Sequence, residues 1–117
     1  MGKIKLFAFL LIFSVSSCTD PKEVAESESQ EAVASVAQME LGLEVYNNKA
    51  QCGMCHTLQA AGSEGQIGPN LDQLKPLMAQ VVSTVTNGIG VMPSFEAMLS
   101  SEEINAVAYY VFESTNK

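Results

Sequence analysis

Cys52-Gly53-Met54-Cys55-His56 stands near the middle of the 117-residue chain and decides what can fold around it. Two thiols three positions apart, followed directly by an imidazole, form the attachment pattern of a c-type haem. The spacing has a chemical reason. Each thiol can bond one vinyl group on the same edge of a porphyrin, and the His that follows then sits under the iron and supplies an axial nitrogen. Two other readings compete. A redox dithiol belongs with a βαβ pattern, and no parallel-strand pattern is visible in this sequence. A zinc site wants four ligands, and this chain has one His and no second Cys pair.

A haem held through His on one face needs a sixth ligand on the other face, or leaves that face open. Further along the chain come Gly68-Pro69-Asn70-Leu71, then Asn87-Gly88-Ile89-Gly90-Val91-Met92-Pro93-Ser94-Phe95, then an apolar final segment. In this order and spacing the stretch from Met39 to Thr115 resembles the class I cytochromes c. The resemblance implies an all-α fold, three to four helices wrapped around one covalently attached haem c. It implies cofactor-binding roles for Cys52, Cys55, His56, Pro69, Leu71 and Met92, with the iron held between His56 and Met92. By the same resemblance the Pro69 carbonyl accepts the other ring N–H of His56, a bond that fixes tautomer and orientation. Leu71 and Leu74 line the haem, and Tyr46 is the aromatic beside its pocket. Gly42 lets the first and last helices cross closely, with Tyr110 meeting it there. Of the six Met residues, Met1 goes with the leader, Met39, Met78 and Met98 fall in helical or polar stretches, and Met54 cannot reach the far face. Met92 lies in a loop beside Pro93, and His/Met ligation is the usual pairing for such a carrier.

Length caps the chain at one domain, and the roughly eighty residues left after the N-terminal segments are few for a self-sufficient core. A buried porphyrin supplies apolar surface. The net charge is −7, with thirteen acids, six Lys and no Arg. Removing a leader that holds Lys3 and Lys5 leaves four Lys against thirteen acids, a balance of −9. Nucleic acid and a bare anionic membrane are thereby poor partners. A redox protein with a basic docking patch is a better one.

Residues 1–17 read as a lipoprotein signal peptide. Met1 to Lys5 is a short basic start, and Leu6 to Val15 is apolar apart from Ser14, too short to span a membrane. The N-myristoylation pattern fails because position six is Leu6. Val15-Ser16-Ser17-Cys18 resembles the lipobox of bacterial lipoproteins. Three Cys leave one odd after the haem pair, and a lipid thioether on Cys18 accounts for it. The alternative is a soluble periplasmic protein with Cys18 free. Residues 18–38 carry Glu23, Glu26, Glu28 and Glu31 but no Leu or aromatic, so they read as an acidic flexible tether, with transient helix from Val24 onward because Ala and Glu favour it. As a coil it reaches roughly 25 Å r.m.s..

Residues 39–117 form the haem domain. Leu41, Val45 and Tyr46 share a face of a helix over about Met39 to Lys49. Gln59 to Gly68 is a polar, Gly-rich loop. Pro76 fits the first turn of a helix through Val85, ended by Asn87 and Gly88. Ser100 and Glu103 make a capping box for a helix to about Ser114, striped with Ile104, Val107, Ala108 and Val111.

These features imply a one-electron carrier of respiration, not an enzyme, anchored by lipid and facing the periplasm. The alternatives are a haem-bearing subunit of a larger oxidase or dehydrogenase, and a small haem peroxidase with Met92 absent or labile.

Overall fold

A computed structural model describes residues 21–117. The signal peptide over 1–17 and the lipid site at Cys18 lie outside the described residues. Among the described residues no helix is long and apolar enough to cross a membrane.

Helix α1 spans Pro21–Glu44, so the helix expected from Met39 and the transient helix expected from Val24 onward are one continuous element. The cause is propensity. Pro at the first position suits a helix start, and the Ala and Glu that follow are strong helix formers. Between Glu28 and Ala37 all side chains but that of Ser35 are exposed, and burial sets in only near Gly42. The helix therefore runs through a stretch that has nothing to bury before its last turns meet the core. It ends in a single π turn, Val45–Lys49, closed by the Ala50 N–H on the Val45 carbonyl at 2.9 Å. In that turn the neighbours Val45 and Tyr46 are both fully buried.

Helix α4 (Ser101–Thr115) is the other half of the core. Its capping box is complete: the Glu103 N–H donates to Ser100 Oγ at 3.2 Å, and the Ser100 N–H donates to Glu103 Oε2 at 2.9 Å. The second Glu103 oxygen accepts from Lys49 Nζ, and this holds the Glu103 carboxyl below the usual range. One side chain thus caps α4 and ties it to the π turn. Ile104, Val107, Ala108 and Val111 are buried as a stripe, together with Tyr110.

Helices α1 and α3 (Met78–Asn87) pack on α4, and the short α2 (Leu71–Leu74) also touches it. Helix α3 starts two residues after Pro76. Pro76 is buried, and its carbonyl accepts from Asn116 Nδ2 at 3.3 Å. The chain turns helical only after Leu77, whose N–H donates to Gln80 Oε1 at 2.9 Å. Strand β2 (Ser63–Glu64), inside the loop expected over Gln59–Gly68, pairs antiparallel with β1 (Thr57–Leu58) just before it, Leu58 opposite Ser63.

The α1–α4 contact is close because Gly42 has no side chain. A Cβ there would overlap the Ala106 carbonyl and lie 2.5 Å from Tyr110 Cβ. Beside it the rings of Tyr46 and Tyr110 pack at 6.0 Å with a 55° tilt, within the range that favours tilted aromatic pairs.

Two substitutions of opposite sign follow. At an exposed helical site Gly→Ala would add ~1 kcal/mol, whereas Gly42→Ala is expected to cost about 1–3 kcal/mol through overpacking. Urea unfolding reads the difference, and a gain in stability would show that the two helices do not touch there. Lys75 ends α2 with φ +48°, in the left-handed region that costs a residue with a side chain ~1 kcal/mol. Lys75→Gly should therefore stabilise by roughly 0.5–1 kcal/mol in the same experiment, and a loss would contradict the assigned backbone.

Candidate functional site

Gln51, with φ +51°, turns the chain out of the π turn and into a tight 3-10 turn over Cys52–Met54. The N–H groups of Cys55 and His56 both donate to the Cys52 carbonyl, at 3.1 and 2.9 Å. One turn thus carries two thiols and the imidazole. Both Cys are half-buried and unpaired. Burial pushes the Cys52 thiol up to about 11, so it stands neutral rather than as a thiolate.

The His56 ring is held at an edge and on a face. Nδ1 lies 2.8 Å from the Pro69 carbonyl oxygen. A carbonyl only accepts, so Nδ1 carries the proton and Nε2 keeps its lone pair for a metal. Gly68 lies flat against the ring: a Cβ there would sit 2.8 Å from Nδ1. Its own N–H donates to the Cys55 carbonyl at 2.7 Å, which ties the Gly68-Pro69 segment back to the attachment turn.

Met92 closes a two-residue hairpin. Its N–H donates to the Ile89 carbonyl at 2.9 Å, and the Ile89 N–H donates to the Met92 carbonyl at 3.0 Å. Gly90 takes φ +56° at the first central position, as a type II′ turn requires. Gly88 makes the approach possible. It has φ +73°, and a Cβ on it would come within 2.7 Å of the Met92 carbonyl oxygen and 2.8 Å of the Ser94 nitrogen. Beyond Met92 the loop is strapped to the end of α3 by Ser94 Oγ on the Thr86 carbonyl at 2.5 Å and by the Phe95 N–H on the Val85 carbonyl at 2.9 Å. Met92 itself is half-buried and packs against the core.

The remaining sequence candidates divide. Leu71 is a core residue, while Leu74, expected to line the same pocket, is more than half exposed. By sequence Asp72, with Glu64 and Glu96, flanks the haem-binding loops and reads as a candidate docking acid. It accepts the Gln59 N–H at 2.9 Å and so caps the turn after β1. Ser63 had no signal at all in the sequence, because a Ser in a polar loop reads as solvated. In the structure its hydroxyl joins Tyr46, His56 and Leu58. Burial pushes the Tyr46 phenol up to about 12, against the opposing effect of the hydrogen bond it shares with Ser63.

These residues fit a porphyrin. The two thiols suit bonds to the porphyrin edge, and an imidazole with a free Nε2 and a thioether are donors suited to haem iron. Around them the chain exposes large apolar side chains: Ile67 beside Gly68, Leu74 and Leu77 after Leu71, and Ile89 and Val91 flanking Gly90. Such a display in a small domain calls for an apolar partner. Among the described residues no three His, Cys, Asp or Glu side chains are grouped so as to hold a bare metal ion. The only strands among the described residues are antiparallel, which leaves the dithiol reading without its βαβ frame.

Comparisons with known proteins agree. A family model described as "Cytochrome C oxidase, cbb3-type, subunit III" matches residues 37–111. The chain is 35% identical over 92 residues to the chloroplastic cytochrome c6 of Chlamydomonas reinhardtii, a match covering 70% of this chain and 58% of that protein. It is 34% identical over 80 residues to cytochrome c6 of Leptolyngbya boryana, covering 65% of this chain and 92% of that one. Among solved structures, the c-type cytochrome SorU from Sinorhizobium meliloti superposes with a TM-score of 0.65 at 47% identity, covering 69% of this chain and 94% of SorU. With a matched family model over most of its length, relatives of the same kind and the fold of a c-type cytochrome, the chain belongs to the monohaem class I cytochromes c, haem-based electron carriers whose c-type haem is covalently attached.

Proposed function

We propose that the protein is a respiratory one-electron carrier in which Cys52 and Cys55 hold the haem through two thioethers and His56 and Met92 ligate its iron. The bound haem supplies an iron with two stable oxidation states one electron apart. The chain's own residues do the rest. Pro69 fixes the tautomer and edge of His56, and Leu71 backs the pocket from the core. Met92 offers a soft thioether, a weak base suited to both oxidation states. The observation that carries this reading is the 2.8 Å bond from His56 Nδ1 to the Pro69 carbonyl, which leaves Nε2 free beside two unpaired thiols. With His56 and Met92 both holding the iron, no coordination site would be open to a substrate, so the protein is read as a carrier and not an enzyme.

The carrier is exported and held by lipid on Cys18, facing the periplasm. Residues 21–38 then act as a helical spacer of roughly 27 Å at 1.5 Å per residue, close to the coil estimate but stiffer. Its redox partners present basic patches to an acidic surface. Glu64 and Glu96 are exposed near the site and are the candidate contacts, while Asp72 is engaged with Gln59. A second reading is supported by the name of the matched family model: a haem-bearing subunit of a larger oxidase. Purification in mild detergent separates the two, since a subunit travels with the complex and a carrier does not.

Four outcomes test the proposal. Protein matured in an export-competent host should keep its haem through acid-acetone extraction, and a Cys52→Ser, Cys55→Ser double variant should lose it; free extraction from the native protein contradicts the thioethers. Met92→Ala should abolish the weak Met–Fe(III) charge-transfer band, open the iron to carbon monoxide and lower the reduction potential. The ligand assignment fails if Met98→Ala does this and Met92→Ala does not. Cys18→Ser should release the protein into the soluble periplasmic fraction with its visible spectrum unchanged. Electron transfer from this soluble form to its partner should slow as salt rises, because the Debye length shrinks from ~30 Å at 0.01 M to ~8 Å at 0.15 M. A flat or rising rate would rule out steering by these carboxylates.

A further inference from the structure

One hydroxyl gathers three segments of the chain. Ser63 Oγ, on β2, lies 3.1 Å from the Leu58 nitrogen, 3.1 Å from the Tyr46 phenol oxygen and 3.0 Å from the His56 carbonyl oxygen. Proton counting and distance together assign the directions. Ser63 has one proton to give and two lone pairs to offer. The His56 carbonyl can only accept and the Leu58 N–H can only donate. The shorter contact to the His56 carbonyl is the one from Ser63, 3.0 Å against 3.5 Å from Tyr46, so the Ser63 proton is assigned to His56, and the Leu58 N–H and Tyr46 O–H fill the two lone pairs. The Leu58 carbonyl, at 3.4 Å, is the weaker competitor for that proton.

Two further features give this cluster a purpose. The Tyr46 oxygen also lies 3.5 Å from the His56 carbonyl, so a small shift of the phenol would bring it into a normal bond there. Ser63 also packs against the turn between the two cysteines: a Cβ on Gly53 would lie 2.7 Å from Ser63 Cβ. The cluster therefore touches the attachment turn and the main chain of the imidazole, on a fully buried Tyr.

We infer that Ser63 and Tyr46 are positioning residues for the proximal ligand: Ser63 anchors the His56 main chain while Pro69 anchors its ring, and Tyr46 is the reserve donor that takes the His56 carbonyl when Ser63 is lost. The inference rests on His56 being the proximal ligand. Its distinctive content is redundancy. Removing Ser63 alone leaves the carbonyl with Tyr46, and removing the phenol alone leaves it with Ser63. Removing both strands it, and an unpartnered carbonyl next to the ligand lets the imidazole reorient.

The test uses the full-length, haem-loaded protein as wild type, Ser63→Ala, Tyr46→Phe and the double variant. NMR of the oxidised protein reads the haem methyl shifts, which report how the axial ligands are oriented and are not moved by a loss of stability alone. Each single variant should keep a pattern near wild type, and the double variant should shift by more than the sum of the two. Amide exchange of Leu58 should be about tenfold faster in Ser63→Ala, which loses its acceptor, and unchanged in Tyr46→Phe. Additive methyl shifts, or a Ser63→Ala pattern as displaced as that of the double variant, would overturn the reserve role of Tyr46. Unchanged Leu58 exchange in Ser63→Ala would overturn the cluster itself. If the double variant does not load haem, the Ser63→Ala pattern and the Leu58 exchange decide the matter on their own. A wild-type protein without a His-ligated low-spin spectrum overturns the ligand reading and this inference together; an intact wild-type spectrum with additive shifts overturns this inference alone.

Discussion

Everything in the fold depends on the place where Gly42 meets the Ala106 carbonyl and Tyr110. That contact brings the last turns of α1 against α4. The Tyr46–Tyr110 pair forms beside it, and the Lys49–Glu103 ion pair closes the far end of the π turn. The attachment turn begins directly after that π turn, so its position is inherited from the crossing. A side chain at 42 would push the helices apart and move the frame from which Cys52 and His56 hang. Packing on this scale tolerates little movement, because protein interiors are as dense as organic crystals.

The two sides of the site are secured by different means. On the His56 side the holding groups are short-range: a ring bond to Pro69, the flat face of Gly68 and the hydroxyl cluster at Ser63. On the Met92 side the side chain is delivered by a hairpin whose backbone bonds to itself and to the end of α3. Neither side relies on ionic contacts among the described residues; the ion pair found there, Lys49–Glu103, serves the helices. The abundant negative charge is therefore left for the surface, which agrees with a carrier that meets its partners through its outer face.

Much of this was legible in the sequence, and the reasons are local. The attachment turn is five consecutive residues. The capping box of α4 is spelled by Ser100 and Glu103, and both of its halves form. The apolar stripe from Ile104 to Val111 keeps helical period and is buried. Gly42 and Tyr110 were placed together only through family resemblance, since nothing local links positions so far apart. The helical tendency from Val24 onward is legible because Ala and Glu form a helix without burial, but the sequence carries no sign that this run joins the helix expected from Met39 into the single α1. The π turn escaped because a search at a period of 3.6 has no place for an extra residue. The start of α3 slipped from Pro76 to Met78 because the Pro76 carbonyl is drawn to Asn116 near the C-terminal end of the chain. The roles of Ser63 and Asp72, the latter read as a docking acid, escape the sequence for the same reason: their partners are set by tertiary structure, and a polar side chain carries no sign of which distant amide it will meet.

The crossing of α1 and α4 also governs the order in which the molecule can be built. A chain that emerges with its N-terminus first, from a ribosome or a translocation channel, presents Gly42 and the Cys52–His56 turn long before Ala106 and Tyr110 exist outside. Until then Val45 and Tyr46 have no helix to pack on, and the two thiols stand on an open chain. Closure must wait for contacts between residues far apart in sequence, the kind that form slowly. A window therefore opens in which the attachment turn can be reached, and the arrival of the final helix shuts it. A chain cut short before Ala106 would lose the core itself, not a dispensable tail.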